Sequence, residues 1–119
     1  MGEALGMIET RGLIGSIEAA DAALKAAPVF LERKLRAGGA LVTVFLRGET
    51  AAVQAAVEAG ARAAAGVGRL IATHVIPNPD PETDVLLGGP GAGTFCVVDP
   101  AAPDRDGPGL RRRGRGRSR

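Results

Sequence analysis

The 119-residue sequence is apolar at 45% of its positions yet holds three Phe, no Tyr and no Trp. Its core must therefore be built from Ala, Val, Leu and Ile, which suits thin helices packed close against a sheet, and its length suits one domain. No apolar run approaches the roughly 18 residues of a membrane span, and the single Cys96 excludes an intrachain disulfide. With no charged-then-apolar leader at the start, a cytosolic, reducing compartment is the expectation. The formal charge of +2 is unevenly spread: residues 1–87 hold eight Lys/Arg and ten Asp/Glu (8 − 10 = −2), and residues 88–119 seven Arg and three Asp (7 − 3 = +4).

In chain order, Glu3 to Thr10 reads as a first strand, with Leu5, Met7 and Glu9 on one face and Ala4, Gly6 and Ile8 on the other. Arg11-Gly12 turns the chain. From Leu13 to Ala26 the apolar positions Leu13, Ile14, Ile17, Ala20 and Leu24 follow the helical period, and Glu18, Asp21 and Lys25 fall elsewhere, so an amphipathic helix with that apolar stripe inward is expected. Pro28 stops it, because proline disfavours helical geometry at Ala27. Val29 to Arg36 and Leu41 to Arg47 are extended runs separated only by Ala37-Gly38-Gly39-Ala40. That spacing predicts a β-hairpin whose adjacent glycines allow positive φ, with almost no side chain at its tip.

Gly48-Glu49-Thr50 opens a second helix, with Thr50 as its cap and Glu49 near the positive end of the dipole. Val53, Ala56, Val57, Gly60, Ala61 and Ala64 form its apolar face, and Gly66 and Gly68 end it. Arg69 to Pro77 reads as a fourth strand, Pro77-Asn78-Pro79-Asp80-Pro81 as a stiff linker, and Glu82 to Leu87 as a helical turn or two. Residues 88–119, rich in Gly, Pro, Asp and Arg, read as a largely disordered tail. The order predicts an α/β (α+β) fold of the ferredoxin-like split βαβ type: a four-stranded antiparallel sheet, both helices on one face, the other face nearly uncovered. A subunit that contacts neighbours through that face or along its edges is expected.

The stretches EALGMIETRGL, IEAADAALKAA, the loop followed by LVTV, RG before the second helix, and HVIPNP together resemble the hexamer-forming shell proteins of bacterial microcompartments, the BMC-domain family. The resemblance runs through most of residues 3–87, marking 1–89 as the shell domain and 90–119 as the tail. It implies a cyclic homohexamer that tiles into a sheet with other hexamers and with trimeric and pentameric shell proteins. It also implies enclosed enzymes, a place in a bacterial microcompartment in the cytoplasm, and a pore on the six-fold axis for small metabolites. On this resemblance the pore is lined by Arg36, Ala37, Gly38, Gly39 and Ala40. The family usually has Gly-Ser-Gly where this chain has Gly38, Gly39 and Ala40, so a ring of hydroxyls is lost and selectivity rests on backbone amides, aperture and charge. With Arg33 and Lys34 upstream, Arg36 would make one mouth of the pore electropositive. Lys25 matches a lysine at the hexamer–hexamer edge, and Asn78 stands where the family often has its Arg partner.

The remaining residues read more plainly. His74 is the lone histidine and reads as a packing residue. Glu3, Glu9 and Glu18 lack the spacing of an acid/base pair, and Cys96 reads as an unpaired thiol. Gly12 and Gly15 lie after a strand and near a helix start, but neither a Walker lysine nor a G-x-G-x-x-G follows them. No catalytic set, metal site or cofactor is expected. The Arg-rich end, with six Arg among residues 111–119, could meet phosphate backbones, acidic cargo, a neighbouring hexamer or only solvent. Without aromatic platforms a nucleic-acid partner is disfavoured. The reading from another class is a ferredoxin-like regulatory domain that binds a small ligand, forming dimers or trimers in place of hexamers.

Overall fold

The computed structural model describes residues 3–36 and 38–87; Ala37 and the expected tail, 88–119, lie outside the described residues. The elements are β1 (Ala4–Arg11), α1 (Leu13–Ala26), β2 (Phe30–Arg36), β3 (Leu41–Gly48), α2 (Thr50–Val67), β4 (Arg69–Ile76) and a closing 3-10 segment (Pro81–Leu87). All strand pairs are antiparallel, in the order β2-β3-β1-β4. This is the split βαβ sheet expected from the sequence, with β1 and β3 central and β2 and β4 as open edges.

Local chemistry sets the boundaries. Gly12 has φ 96°, a turn that an L side chain rarely makes, and α1 starts at the next residue. The helix ends where Ala27, ahead of Pro28, is extended. The cap of α2 is Glu49 and not Thr50: the Ala51 N–H donates to Glu49 Oε1 at 3.2 Å, and the Val53 N–H donates to the Glu49 carbonyl at 2.9 Å. A carboxylate there also complements the helix dipole. Gly66 lies inside α2, and Gly68 alone ends it, donating its N–H to the Ala64 carbonyl at 2.9 Å.

The two faces of the sheet are packed differently. On one, Ala4 and Ile8 of β1 and Val44 and Leu46 of β3 meet Ala19 and Ala23 of α1 and Val53, Ala56, Val57 and Ala64 of α2. Here the expected orientation of α1 is corrected. Its buried residues are Gly15, Ser16, Ala19 and Ala23, and Leu13, Ile14, Ile17 and Leu24 point outward. The cause is the closeness of the two helices, since a Cβ on Gly60 would stand 2.7 Å from the Ala19 carbonyl oxygen and 2.6 Å from Ile8 Cδ1. Only a small-residue stripe fits that seam. The two buried hydroxyls are satisfied locally, Thr10 donating to the Gly12 carbonyl and Ser16 to the Leu13 carbonyl.

On the opposite face Leu5, Phe45 and Leu87 form a smaller cluster, with Met7, Leu35 and Ile76 against it. That face is less bare than the sequence suggests, because the 3-10 segment folds back over it. Asp80 starts the segment, its carboxylate accepting from the Glu82 N–H at 2.9 Å and its carbonyl from Thr83.

Candidate functional site: the hairpin tip and the exposed apolar surfaces

The β2–β3 hairpin ends in residues 37–40. There Gly39 (φ 72°) and Ala40 (φ 64°) take positive φ. Ala40 therefore holds a conformation that its Cβ disfavours. Two contacts fix it there: the Gly12 N–H donates to the Ala40 carbonyl at 2.7 Å, and Arg11 Nη1 donates to the Gly39 carbonyl at 3.4 Å. The turn that begins α1 thus carries the tip. A Cβ at Gly39 would meet nothing within 4 Å, so that glycine answers to φ and not to crowding. Ala40→Gly is expected to raise subunit stability by about 0.5 kcal/mol, relief of left-handed strain being partly offset by the greater freedom of the unfolded glycine. A shift of the urea midpoint at unchanged slope measures it.

The cations of β2 do not share one side. Arg33 is paired with Phe45 and Leu35 with Thr43, whereas Lys34 is paired with Val44 and Arg36 with Val42. Paired residues of antiparallel strands point the same way. Arg33 therefore lies on the face of the 3-10 segment and Lys34 and Arg36 on the helix face, all three exposed. The three cations grouped together in the sequence are thus divided between the two faces of the subunit's sheet.

Lys25 sits in the last turn of α1, its Nζ 2.8 Å from Asp21 Oδ2 with both side chains largely exposed. The hydrogen bond and charge of Asp21 hold the Lys25 pKa above the usual lysine value. Asn78 is exposed just beyond β4. Because α1 runs back along β1, its end lies near the start of β1, beside Gly48 and Val29. The end of β4 pairs with that same start, Ile76 opposite Leu5. Lys25 and Asn78 thus share one end of the subunit and the hairpin tip the other, separated by the eight residues of β1, or about 25 Å.

The sequence reading missed the outward stripe of α1. Ile14 is 74% exposed and Ile17 58%, and the edge strands add Phe30, Leu31, Leu70 and Ile71. The available signal was the competing stripe Gly15, Ala19, Ala23 facing Gly60 and Ala64 on α2, small residues four apart on both helices. His74 is exposed on β4 in the subunit by itself, not packed. Glu9 accepts a hydrogen bond from Thr43 across the sheet at 3.1 Å. Among the described residues there is no cluster of three or more His, Cys, Asp or Glu, and no helix is long and apolar enough to cross a membrane.

Comparison with known proteins agrees with this geometry. Residues 4–79 match the family model of the BMC domain. The chain is 52% identical over 85 residues to the bacterial microcompartment shell protein PduA of Salmonella typhimurium, covering 71% of this chain and 90% of that protein. It is 57% identical over 89 residues to the carboxysome shell protein CsoS1 of Prochlorococcus marinus, covering 74% and 86%. In solved structures it resembles a microcompartments protein from Desulfitobacterium hafniense DCB, with TM-score 0.62 and 34% identity over 70% of this chain, which spans 45% of that longer chain. With a family match across its whole sheet-and-helix body and relatives more than half identical to it, the chain belongs to the BMC-domain family of bacterial microcompartment shell proteins.

Proposed function

We propose that this chain assembles as a cyclic homohexamer that tiles edge to edge, with the hairpin tips around a central pore and Lys25 and Asn78 at the rim. As a member of its family it is a structural component of a microcompartment shell and not an enzyme. The observation that carries the hexamer is the inversion of α1: a small subunit fills its core with alanine and glycine and turns its isoleucines outward. Such a surface is suited to a neighbour. Placement of the tip and the rim residues at opposite ends of β1 supports the division into an axial end and an outer end. Arg36, Gly38, Gly39 and Ala40, with Ala37, then line the aperture, passing small metabolites. Residues 1–89 act as the shell domain, and the other shell proteins and the enclosed enzymes are its partners.

Native mass spectrometry at micromolar concentration is expected to give six times the subunit mass; dimers or trimers that saturate with a small ligand would favour the regulatory-domain reading. The rim role is tested separately. Lys25→Asp places a like charge four residues from Asp21 and near the negative end of α1, but on an exposed surface where water screens both effects, so the subunit core is left intact. At the rim it replaces donors by acceptors at every two-fold contact. Electron microscopy should show discrete hexamers where the parent forms sheets or tubes; equally extended arrays from both would remove Lys25 from the edge.

A further inference from the structure

Arg47 takes no part in the tip, the rim or the outward stripe, yet among the described residues its side chain is more enclosed than that of Lys25, the other cation in a described ion pair, at 12% exposed against 75%. It stands on β3 on the face away from the helices, paired with Leu5 of β1 and Phe30 of β2. Its Nε donates to Glu32 Oε2 of the edge strand at 2.8 Å, and its Nη2 donates to Asp84 of the 3-10 segment. Burial by itself would lower its pKa, but the bonds and charges of Glu32 and Asp84 outweigh burial, and the guanidinium is held above its usual value. The surrounding groove, about 300 Å³, is lined by Glu3, Glu32, Pro79, Pro81 and Asp84, with Arg47 as its only cation among the described residues.

Among the described residues the 3-10 segment has few other contacts with the sheet. Leu87 packs on Leu5 and Phe45, while Val85 and Leu86 are exposed. A seven-residue piece fastened by one ion pair in its middle and one leucine at its end has the construction of a strap. The fork of a guanidinium suits the fastening, since it can bond two carboxylates lying in different directions, which a lysine ammonium on a single stem does poorly.

We propose that Arg47 is the clasp of this strap: it closes Pro81–Leu87 over the open face of the sheet, and so fixes on that face the point where the Arg-rich sequence 88–119 joins the subunit. The +4 charge of that sequence is then attached to the side opposite α1 and α2 in every copy. The tie is local, leaving the seam between the helices untouched.

Amide hydrogen exchange on the full chain tests it, comparing the parent with Arg47→Met, Asp84→Asn and Glu32→Gln. Both Arg47→Met and Asp84→Asn should speed exchange at residues 83–87 by about tenfold or more, with β1 and β3 amides unchanged. Glu32→Gln should have a smaller effect, since the tie to Asp84 remains. Asp84→Asn is the decisive variant, because it keeps the Arg47–Glu32 pair and puts no buried charge at risk. Exchange at 83–87 within twofold of the parent in Asp84→Asn would overturn the proposal. So would loosening of the whole sheet in Arg47→Met without any change at 83–87 in Asp84→Asn, which would make Arg47 a fastening of β2 and not of the strap.

Discussion

The double variant Ile14→Asp/Ile17→Asp is expected to fold and to fail to assemble, running as a monomer in place of the hexamer proposed for the parent. Both side chains lie outside the subunit core, so their loss removes little from the packing of α1 on the sheet. The first turn of α1 has no acidic residue and its cap Gly12 offers no side-chain bond, so an aspartate at position 14 complements the helix dipole. Against a neighbour the balance reverses. Each isoleucine contributes about 1.5–3 kcal/mol when buried, and an unpaired carboxylate in the same place costs several kcal/mol more. A ring repeats that loss at each of its contacts. Sedimentation velocity with circular dichroism checks both halves. A helical, cooperatively melting monomer is the expected result, and an intact hexamer would show that this stripe faces solvent.

A pair of glycine substitutions in α2 is expected to act in opposite directions. Gly60→Ala should destabilise the subunit by about 2 kcal/mol, although alanine gains up to about 1 kcal/mol in helix propensity. The added methyl would sit 2.7 Å from a backbone oxygen of α1, and backbone cannot step aside as a side-chain end can. The two helices must separate, or Ile8 must leave its place, and a close-packed core resists both. Gly66→Ala, one turn and a half further on, meets nothing within 4 Å and should stabilise by about 0.5 kcal/mol through propensity alone. Because assembly adds its own stabilisation by mass action, urea denaturation is best compared in the monomeric Ile14→Asp/Ile17→Asp background. Equal effects at the two glycines would mean that the helix seam is not the close contact described.

The elements were legible because each is bounded by residues with one dominant local preference. Pro28 and Gly12 confine α1 to the residues expected, and the two extended runs around Gly38-Gly39 pair as a hairpin, from Phe30 opposite Arg47 to Arg36 opposite Val42. The family resemblance was legible for a related reason, since its motifs lie on these same turns and strands. The candidate site was legible only as positions. Gly39 and Ala40 could be named as the tip, and Lys25 and Asn78 as rim residues, but nothing local says that they stand at opposite ends of one strand. That separation follows from α1 running antiparallel to β1 and from β4 pairing with the start of β1, both long-range facts.

The sequence by itself determined the order of strands and helices and the turns between them, because glycine, proline and alternating apolar residues act through their nearest neighbours, and its motifs carried the resemblance to the family. Tertiary structure decided which face of α1 is buried. Two stripes on that helix are compatible with its period, one of isoleucine and leucine, one of glycine, serine and alanine. The larger apolar residues gain more from burial wherever there is room, so periodicity favours them. Room is what the approach of α2 removes: with Gly60 against Ala19, only the small stripe fits, and the isoleucines are left outside for another surface to cover. Arg47 follows the same rule, for its partners Glu32 and Asp84 come from separate elements and meet only when the sheet has formed.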